Sequence, residues 1–461
     1  MRRLALPTAA LLLAGCTVGP DYKRPAIPVP SDFRGRVDGP VSEKSIGDVV
    51  WWEIFCDEVL QGLIRTALAE NYDLRIAAAR ILDARAQVTI VRSFQFPDLS
   101  ATADAPFVHI EGDRSLLQPQ NSYNPLGTLD LGWEIDLWGR LRRATQAARA
   151  ELLASEDVRR SVITTLVNDV ATAYFQLRGL DLELEISRRT VTSRQASLRL
   201  VQLRQAGGVA GMMDVRQAEV LLYTATETIP DAQRRIEQTE NLISVLLGRS
   251  PDAVPRGRSL VQQLTLPTLP TGLPSSLLER RQDIRQAESQ LAAATARIGV
   301  AKADYFPRVF LTGSAGVGGL SINGNWFGPQ GVFSVGPQVT LPIFNMGHVG
   351  AGVDSAEARA QEALVRYQQT IQQAFREVSD GLVEHRKRGE SRIQQELLVG
   401  ALRDAARLAN IRYRGGVTSY LEVLDTERQF FNAELTLVQA QRDELLAVVR
   451  LYRALGGGWH G

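Results

Sequence analysis

The 461-residue chain is written twice. Asn71-Tyr72-Asp73-Leu74 stands 210 positions before Arg281-Gln282-Asp283-Ile284, and Phe96-Pro97 stands 210 before Phe306-Pro307. Further along, Gly207-Gly208-Val209 is matched by Gly415-Gly416-Val417, and Leu247-Gly248 by Leu455-Gly456, both at a spacing of 208. Four landmarks in one order, with a single two-residue slip, mean two copies of one structural unit. We place the copies at 61–248 and 275–456, joined by a Pro- and Gly-rich linker at 249–274 and followed by a tail at 457–461. An extended segment at 16–60, rich in proline at its start, precedes them.

Each copy reads as helix, strand pair, very long helix, tight turn, helix. The strand pairs are expected at about 98–137 and 307–344, and the long helices at about 140–206, 213–247, 349–414 and 419–455. After Gly139 some 65 residues pass without a proline, which at 1.5 Å per residue is a rod of about 100 Å. Leu166, Val170, Ala173, Leu177, Leu180 and Leu184 alternate spacings of four and three. Leu421, Leu424, Arg428, Phe431, Leu435, Val438, Arg442, Leu445, Val449 and Tyr452 do the same. A period of 3.5 is a coiled-coil seam, so antiparallel helices pack lengthwise. Pro230 should kink or interrupt its helix. Gly207-Gly208 and Gly415-Gly416 supply the positive φ that a helix end needs, so helical hairpins turn there.

Leu129-Asp130-Leu131-Gly132-Trp133-Glu134-Ile135-Asp136-Leu137 alternates strictly, with one apolar and one acidic face. Its counterpart puts Phe333, Val335, Pro337, Val339, Leu341 and Ile343 on one side. The partner strands, 99–107 and 309–317, alternate more weakly. Soluble strands alternate too, but an apolar outer face suits a membrane barrel. Four strands cannot close a barrel, and an open edge is not tolerated in lipid. Three chains would give twelve strands and an open lumen, lined by Asp130, Glu134 and Asp136, which predicts a mild cation preference. Trp133, Trp138, Trp326, Phe327 and Phe344 fit an interfacial aromatic belt, and segments 109–125 and 319–330 read as loops facing outside.

Residues 1–15 read as an export signal, too short in its apolar run to span a bilayer. Its loss removes Arg2 and Arg3 and takes the formal charge from +1 to −1, unlike the basic surplus of a nucleic-acid binder. Cys56 then remains as the only thiol, expected as a small buried side chain. Histidines at 109, 348, 385 and 460 suggest no metal cluster. No phosphate loop, zinc motif or nucleophile–base pair occurs, so no catalysis and no cofactor are expected.

Leu13-Ala14-Gly15-Cys16 resembles a bacterial lipobox, with Cys16 the lipidated residue, and Thr17 after it favours outer-membrane delivery. Together with the duplication, the strand pairs and the Gly-Val turns, it resembles the TolC-like outer-membrane efflux proteins, lipidated branch. Cys16 to Pro25, Trp51-Trp52 with Phe55, Asp57 and Leu60, and Leu455 to Trp459 resemble that branch's landmarks across essentially the whole chain. Cys56 departs from the usual polar residue. The resemblance implies an α+β membrane protein: a lipid-anchored homotrimer with a twelve-stranded outer-membrane barrel over a coiled-coil periplasmic tunnel. It also implies a passive exit duct for a periplasmic adaptor and an inner-membrane pump. Tyr413-Arg414-Gly415-Gly416-Val417 and Leu421, Asp425 and Arg428 resemble the segment closing the periplasmic tip, with Asp425 and Arg428 as its latch. The turns at Gly207, Gly208, Val209, Gly415, Gly416 and Val417 would meet the adaptor. Alternatives are a protein-secretion outlet, a non-channel periplasmic coiled-coil lipoprotein and, among enzymes, a secreted or membrane-bound hydrolase.

Overall fold

The computed structural model describes residues 17–35, 45–110, 120–264, 272 and 274–457. The export signal, Cys16 and the tail beyond Gly457 lie outside the described residues. In the first repeat α1 (Trp51–Ile54), α2 (Glu58–Glu70) and α3 (Tyr72–Ser93) lead to four strand segments. These are β1 (Asp98–Asp104), β2 (Phe107–Ile110), β3 (Gln120–Tyr123) and β4 (Leu126–Ile135), followed by α4 (Arg140–Ala206) and α5 (Met212–Leu246). The second repeat runs α6 (Pro274–Arg280), α7 (Gln282–Ala303), β5 (Arg308–Ile322), β6 (Asn325–Thr340), α8 (His348–Arg414) and α9 (Tyr420–Ala454). Paired helices have equal lengths: 22 residues in α3 and α7, 67 in α4 and α8, 35 in α5 and α9.

The chain forms two compact units. One holds residues up to 26, 79–156 and 286–368, and the other holds 27–78, 157–285 and 369–461. The first contains one antiparallel sheet in the order β1-β4-β5-β6, with β2 and β3 extending it. Six segments therefore make a sheet four strands wide. The first repeat's hairpin is broken at Ala105-Pro106 and Asn124-Pro125, because proline has no N–H for the ladder. Segment 319–330, expected as a loop, is instead mostly strand. β5 runs to Ile322 and turns at Asn323-Gly324, whose φ values of +49° and +86° fit a two-residue type I′ turn. Below the sheet α4 and α7 pack through Ala147, Ala150, Ala293 and Ala296, small side chains that permit a close approach.

In the helical unit five of the six expected seam residues of α4, Leu166, Val170, Ala173, Leu177 and Leu180, are buried, and Leu184 is half-buried, as a heptad stripe that ends there requires. On α9 the seam departs from the expected set at its start. Tyr420 and Val423 are buried there, while Leu421 and Arg428 are exposed. Pro230 does not interrupt α5, which is helical throughout Met212–Leu246. Its side chain lies on the exposed face, where water can satisfy the carbonyl it leaves free, and buried Ala225 and Ala232 hold the helix on either side. Cys56 is exposed rather than buried. Its neighbour Asp57 occupies the interior because it caps α2, accepting from the Val59 and Leu60 amides.

Candidate functional site: a two-faced sheet and a paired hairpin turn

Strand register sorts the sheet into two chemically opposite faces. Leu129 is flanked by Ala101 and Ala315, with Phe333 beyond; Leu131 is flanked by Leu99 and Gly313, with Val335 beyond. Trp133–Leu311–Pro337 and Ile135–Val309–Val339 complete rows made wholly of apolar residues and glycine. In the single chain this face is bare, with Phe333 78% and Val339 62% exposed. A soluble sheet would cover it; a bare apolar face four strands wide is built to meet hydrocarbon. The opposite face carries Asp98, Ser100, Thr102, Asp104, Thr128, Asp130, Ser314, Ser334 and Gln338. Among the described residues nothing pairs with the outer edges of β1 and β6.

Asp130 sits in register between Ser100 and Ser314 and accepts from the Thr128 hydroxyl at 2.8 Å. Glu134 shares the polar face but is clasped by Arg140 through two bonds of 3.0 and 2.5 Å. Asp136 lies beyond the end of β4. It accepts from the Leu141 and Arg142 amides at the start of α4 and from the Arg142 guanidinium at 3.3 Å. Two of the three expected lumen acids are thus neutralised, whereas Asp98 and Asp104, which the weak alternation of β1 hid, share the face of Asp130. The expected aromatic belt also divides. Trp133 donates to the Gln95 carbonyl, and Trp138 stacks on Phe306 and donates to the Pro307 carbonyl. Trp326, Phe327 and Phe344 are exposed.

The second locus is the turn end of the helical unit. The α4–α5 and α8–α9 turns have the same hydrogen-bonded form. Gly208 N donates to the Gln205 carbonyl and Val209 N to Arg204; Gly416 N donates to Tyr413 and Val417 N to Arg412. Both Gly208 and Gly416 have φ of +73°, the left-handed residue of a Schellman motif. The two turns share one core of Val201, Val215, Ala218, Ala409, Tyr413, Tyr420 and Val423. Arg204 ties them, donating to the Tyr413 carbonyl at 3.1 Å with its guanidinium 4.5 Å from the Tyr413 ring centre. Burial pushes the Tyr420 phenol up to about 12 and raises that of Tyr413, so both rings are neutral packing groups near pH 7.

Beyond that core Leu421 is 58% exposed, and Arg428 donates to Asp425 at 2.8 Å on the same helix, with Gln429 as a second donor. Structure thus brings Leu421, Asp425 and Arg428 together on an uncovered face of α9. Val209, Met212, Met213 and Val417 form further exposed apolar surface around the turns. The two methionines fall where the second repeat has Tyr420 and Leu421, a correspondence readable at the 208 spacing. Among the described residues no group of His, Cys, Asp and Glu could hold a metal ion, and no helix is long and apolar enough to cross a membrane.

A four-strand sheet, apolar on one face and polar on the other, joined to long duplicated hairpins defines the wall of an outer-membrane channel. The sequence matches the family model described as Outer membrane efflux protein over residues 63–249 and 273–457, one match per repeat. The chain belongs to that family, and it is an outer-membrane exit duct for efflux. It is 38% identical to the solvent efflux pump outer membrane protein SrpC of Pseudomonas putida, covering 100% of this chain and 99% of that one. It is 33% identical to the cation efflux system protein CusC of Escherichia coli, covering 98% and 97%. Among solved structures, the outer-membrane channel OprN superposes with a TM-score of 0.86 at 34% identity, over 96% of this chain and 100% of that one. The open state of the Neisseria gonorrhoeae channel MtrE gives 0.85 at 33% identity, over 96% and 99%.

Proposed function

We propose that the protein is a passive homotrimeric duct without catalytic activity, its barrel closed by twelve strands. It carries small toxic compounds, solvents or antibiotics among them, delivered by an inner-membrane pump through a periplasmic adaptor. The observation that carries this reading is the bare apolar face of the sheet between two unpaired edges. Edges cannot remain open in lipid, so further copies of the chain must complete the wall. The lumen is then the polar face. The glycine turns at 207–209 and 415–417, with their exposed valines, are the adaptor contacts, and Leu421, Asp425 and Arg428 form the constriction.

Lipidation at Cys16 belongs to the same reading. The chain immediately after it is fixed to the sheet-bearing unit: Val18 N donates to the Trp138 carbonyl, and buried Arg143 holds the Val18 and Gly19 carbonyls and the Asp21 carboxylate. A lipid on Cys16 would therefore enter the membrane beside the strands' helical ends. In planar bilayers the purified protein should run as a heat-modifiable trimer and conduct, and Asp425→Ala with Arg428→Ala should raise the conductance above the parent's. Conductance at or below the parent's would remove the latch. A monomer without conductance would return the chain to the non-channel lipoproteins, and passage of folded polypeptide would make it a secretion outlet.

A further inference from the structure

A charged side chain that the duct reading does not use lies inside the helical unit. Arg194, on α4, is only 3% exposed. One of its nitrogens, Nη1, donates to the Leu221 carbonyl of α5. The guanidinium carbon stands 4.7 Å from the centre of the Phe431 ring on α9. Nε and Nη2 are buried with no hydrogen-bond partner. Such a group costs stability, since two desolvated donors without acceptors are only partly offset by one carbonyl, one ring face and the charge of nearby Glu427. A methionine of similar length would fill the same space at less cost. What the arginine gives in return is direction: a cation centred over an aromatic face fixes the rotation of the helix bearing that ring.

That helix is the one carrying the proposed constriction. Phe431 follows Arg428 by three residues, less than one helical turn. Its neighbour Phe430 has Arg403 of α8 at 5.9 Å from the ring centre, so α9 is gripped from both hairpins. The α8 contact is on the surface, where solvent weakens it; the Arg194 contact is dry. Glu427, on the same turn, accepts from Asn410 at 2.8 Å and acts on Arg194 through its charge without a hydrogen bond.

We propose that Arg194 is a positioning residue for the gate: it clamps α9 to the first repeat's hairpin through Phe431, and so sets where Leu421, Asp425 and Arg428 point. The inference rests on the constriction proposed above. It predicts that gate closure is lost while stability is kept, two properties that loss of a merely structural residue would impair together. In the full-length trimer, Arg194→Met should raise open probability in planar bilayers roughly tenfold, the order expected for losing a desolvated cation–π contact. Its thermal unfolding midpoint in detergent should stay level or rise. Phe431→Leu should reproduce the leak, and Arg194→Lys should bring conductance back toward the parent's. Parental conductance in Arg194→Met overturns the proposal, as does a leak accompanied by a lowered midpoint. The Asp425→Ala, Arg428→Ala double variant is measured alongside. If it leaks and Arg194→Met does not, the clamp fails alone; if neither leaks, both clamp and gate fail.

Discussion

Asp57 is 2% exposed, yet its two oxygens receive five donors. Oδ1 accepts from the Val59 and Leu60 amides, and Oδ2 from the Tyr174 hydroxyl at 2.9 Å, the Arg258 amide at 2.8 Å and Gln263 Nε2 at 3.2 Å. One carboxylate thereby joins α2, α4 and the segment between the repeats. A buried carboxylate is tolerated only when its lone pairs are satisfied in this way. Asp57→Asn presents an N–H₂ group to donors and should lower unfolding stability in detergent by roughly 3 kcal/mol. Gly257→Ala attacks the same knot, because its Cβ would stand 2.1 Å from Oδ1. The two losses should combine to clearly less than their sum, since both break one network; full additivity in the double variant would show the knot to be two separate contacts. In sequence Asp57 is visible only as an acid before an apolar helix start. Nothing local announces partners 117 and 201 positions away, so Cys56 beside it is easily taken for the buried residue of the pair.

At the scale of elements, the repeats solve one problem with different chemistry. Asn71 caps α3 and sends its Nδ2 to the Leu246 carbonyl at the end of α5; Arg281, its counterpart, sends Nη1 to the Ala454 carbonyl at the end of α9. Such equivalences are legible from spacing alone, because helix length and turn glycines are local properties. The alternation in β4 is legible for a similar reason, since period two persists wherever one face meets an apolar surrounding. Asn323-Gly324 was a readable hairpin signal too, but the glycine-rich run 313–319 disguised the strand leading into it. Arg194 was not readable at all, because an arginine among arginines on a long helix carries no mark of burial. The turn glycines give a sharp test of local cost. Gly208, Gly248 and Gly416 share φ of +73°. An added Cβ meets nothing at Gly208 or Gly416 but stands 2.5 Å from the Glu70 carbonyl oxygen at Gly248. Gly208→Ala and Gly416→Ala should each cost about 1 kcal/mol of backbone strain. Gly248→Ala should cost roughly 2–3 kcal/mol, because backbone must move as well. Equal losses in denaturant titrations would mean that the close approach at Gly248 is not rigid.

For the whole molecule, the near balance of 52 basic and 51 acidic side chains conceals where charge is left uncompensated. Along the helices most acids described have an arginine within reach, as in Arg189–Glu434, Arg235–Glu183 and Arg450–Glu384. The polar face of the sheet is different. Glu134 is cancelled by Arg140 and Asp136 by Arg142, whereas Asp98, Asp104 and Asp130 have no arginine partner among the described residues. Within the described sheet, any cation preference of the duct therefore rests on those three positions, multiplied by the number of chains in the wall. Asp130→Asn should shift the reversal potential across a salt gradient toward that of a non-selective pore. Glu134→Gln changes the charge by the same one unit per chain, but it leaves a cation where Asp130→Asn leaves a neutral site. It frees Arg140, converting a cancelled pair into a net positive charge beside the path. At equal change of charge, the two variants thus compare a position along the strands with one at the junction of sheet and helix. Should Asp130→Asn leave the reversal potential unmoved while Glu134→Gln shifts it, selectivity is set at the junction of sheet and helix rather than along the strands.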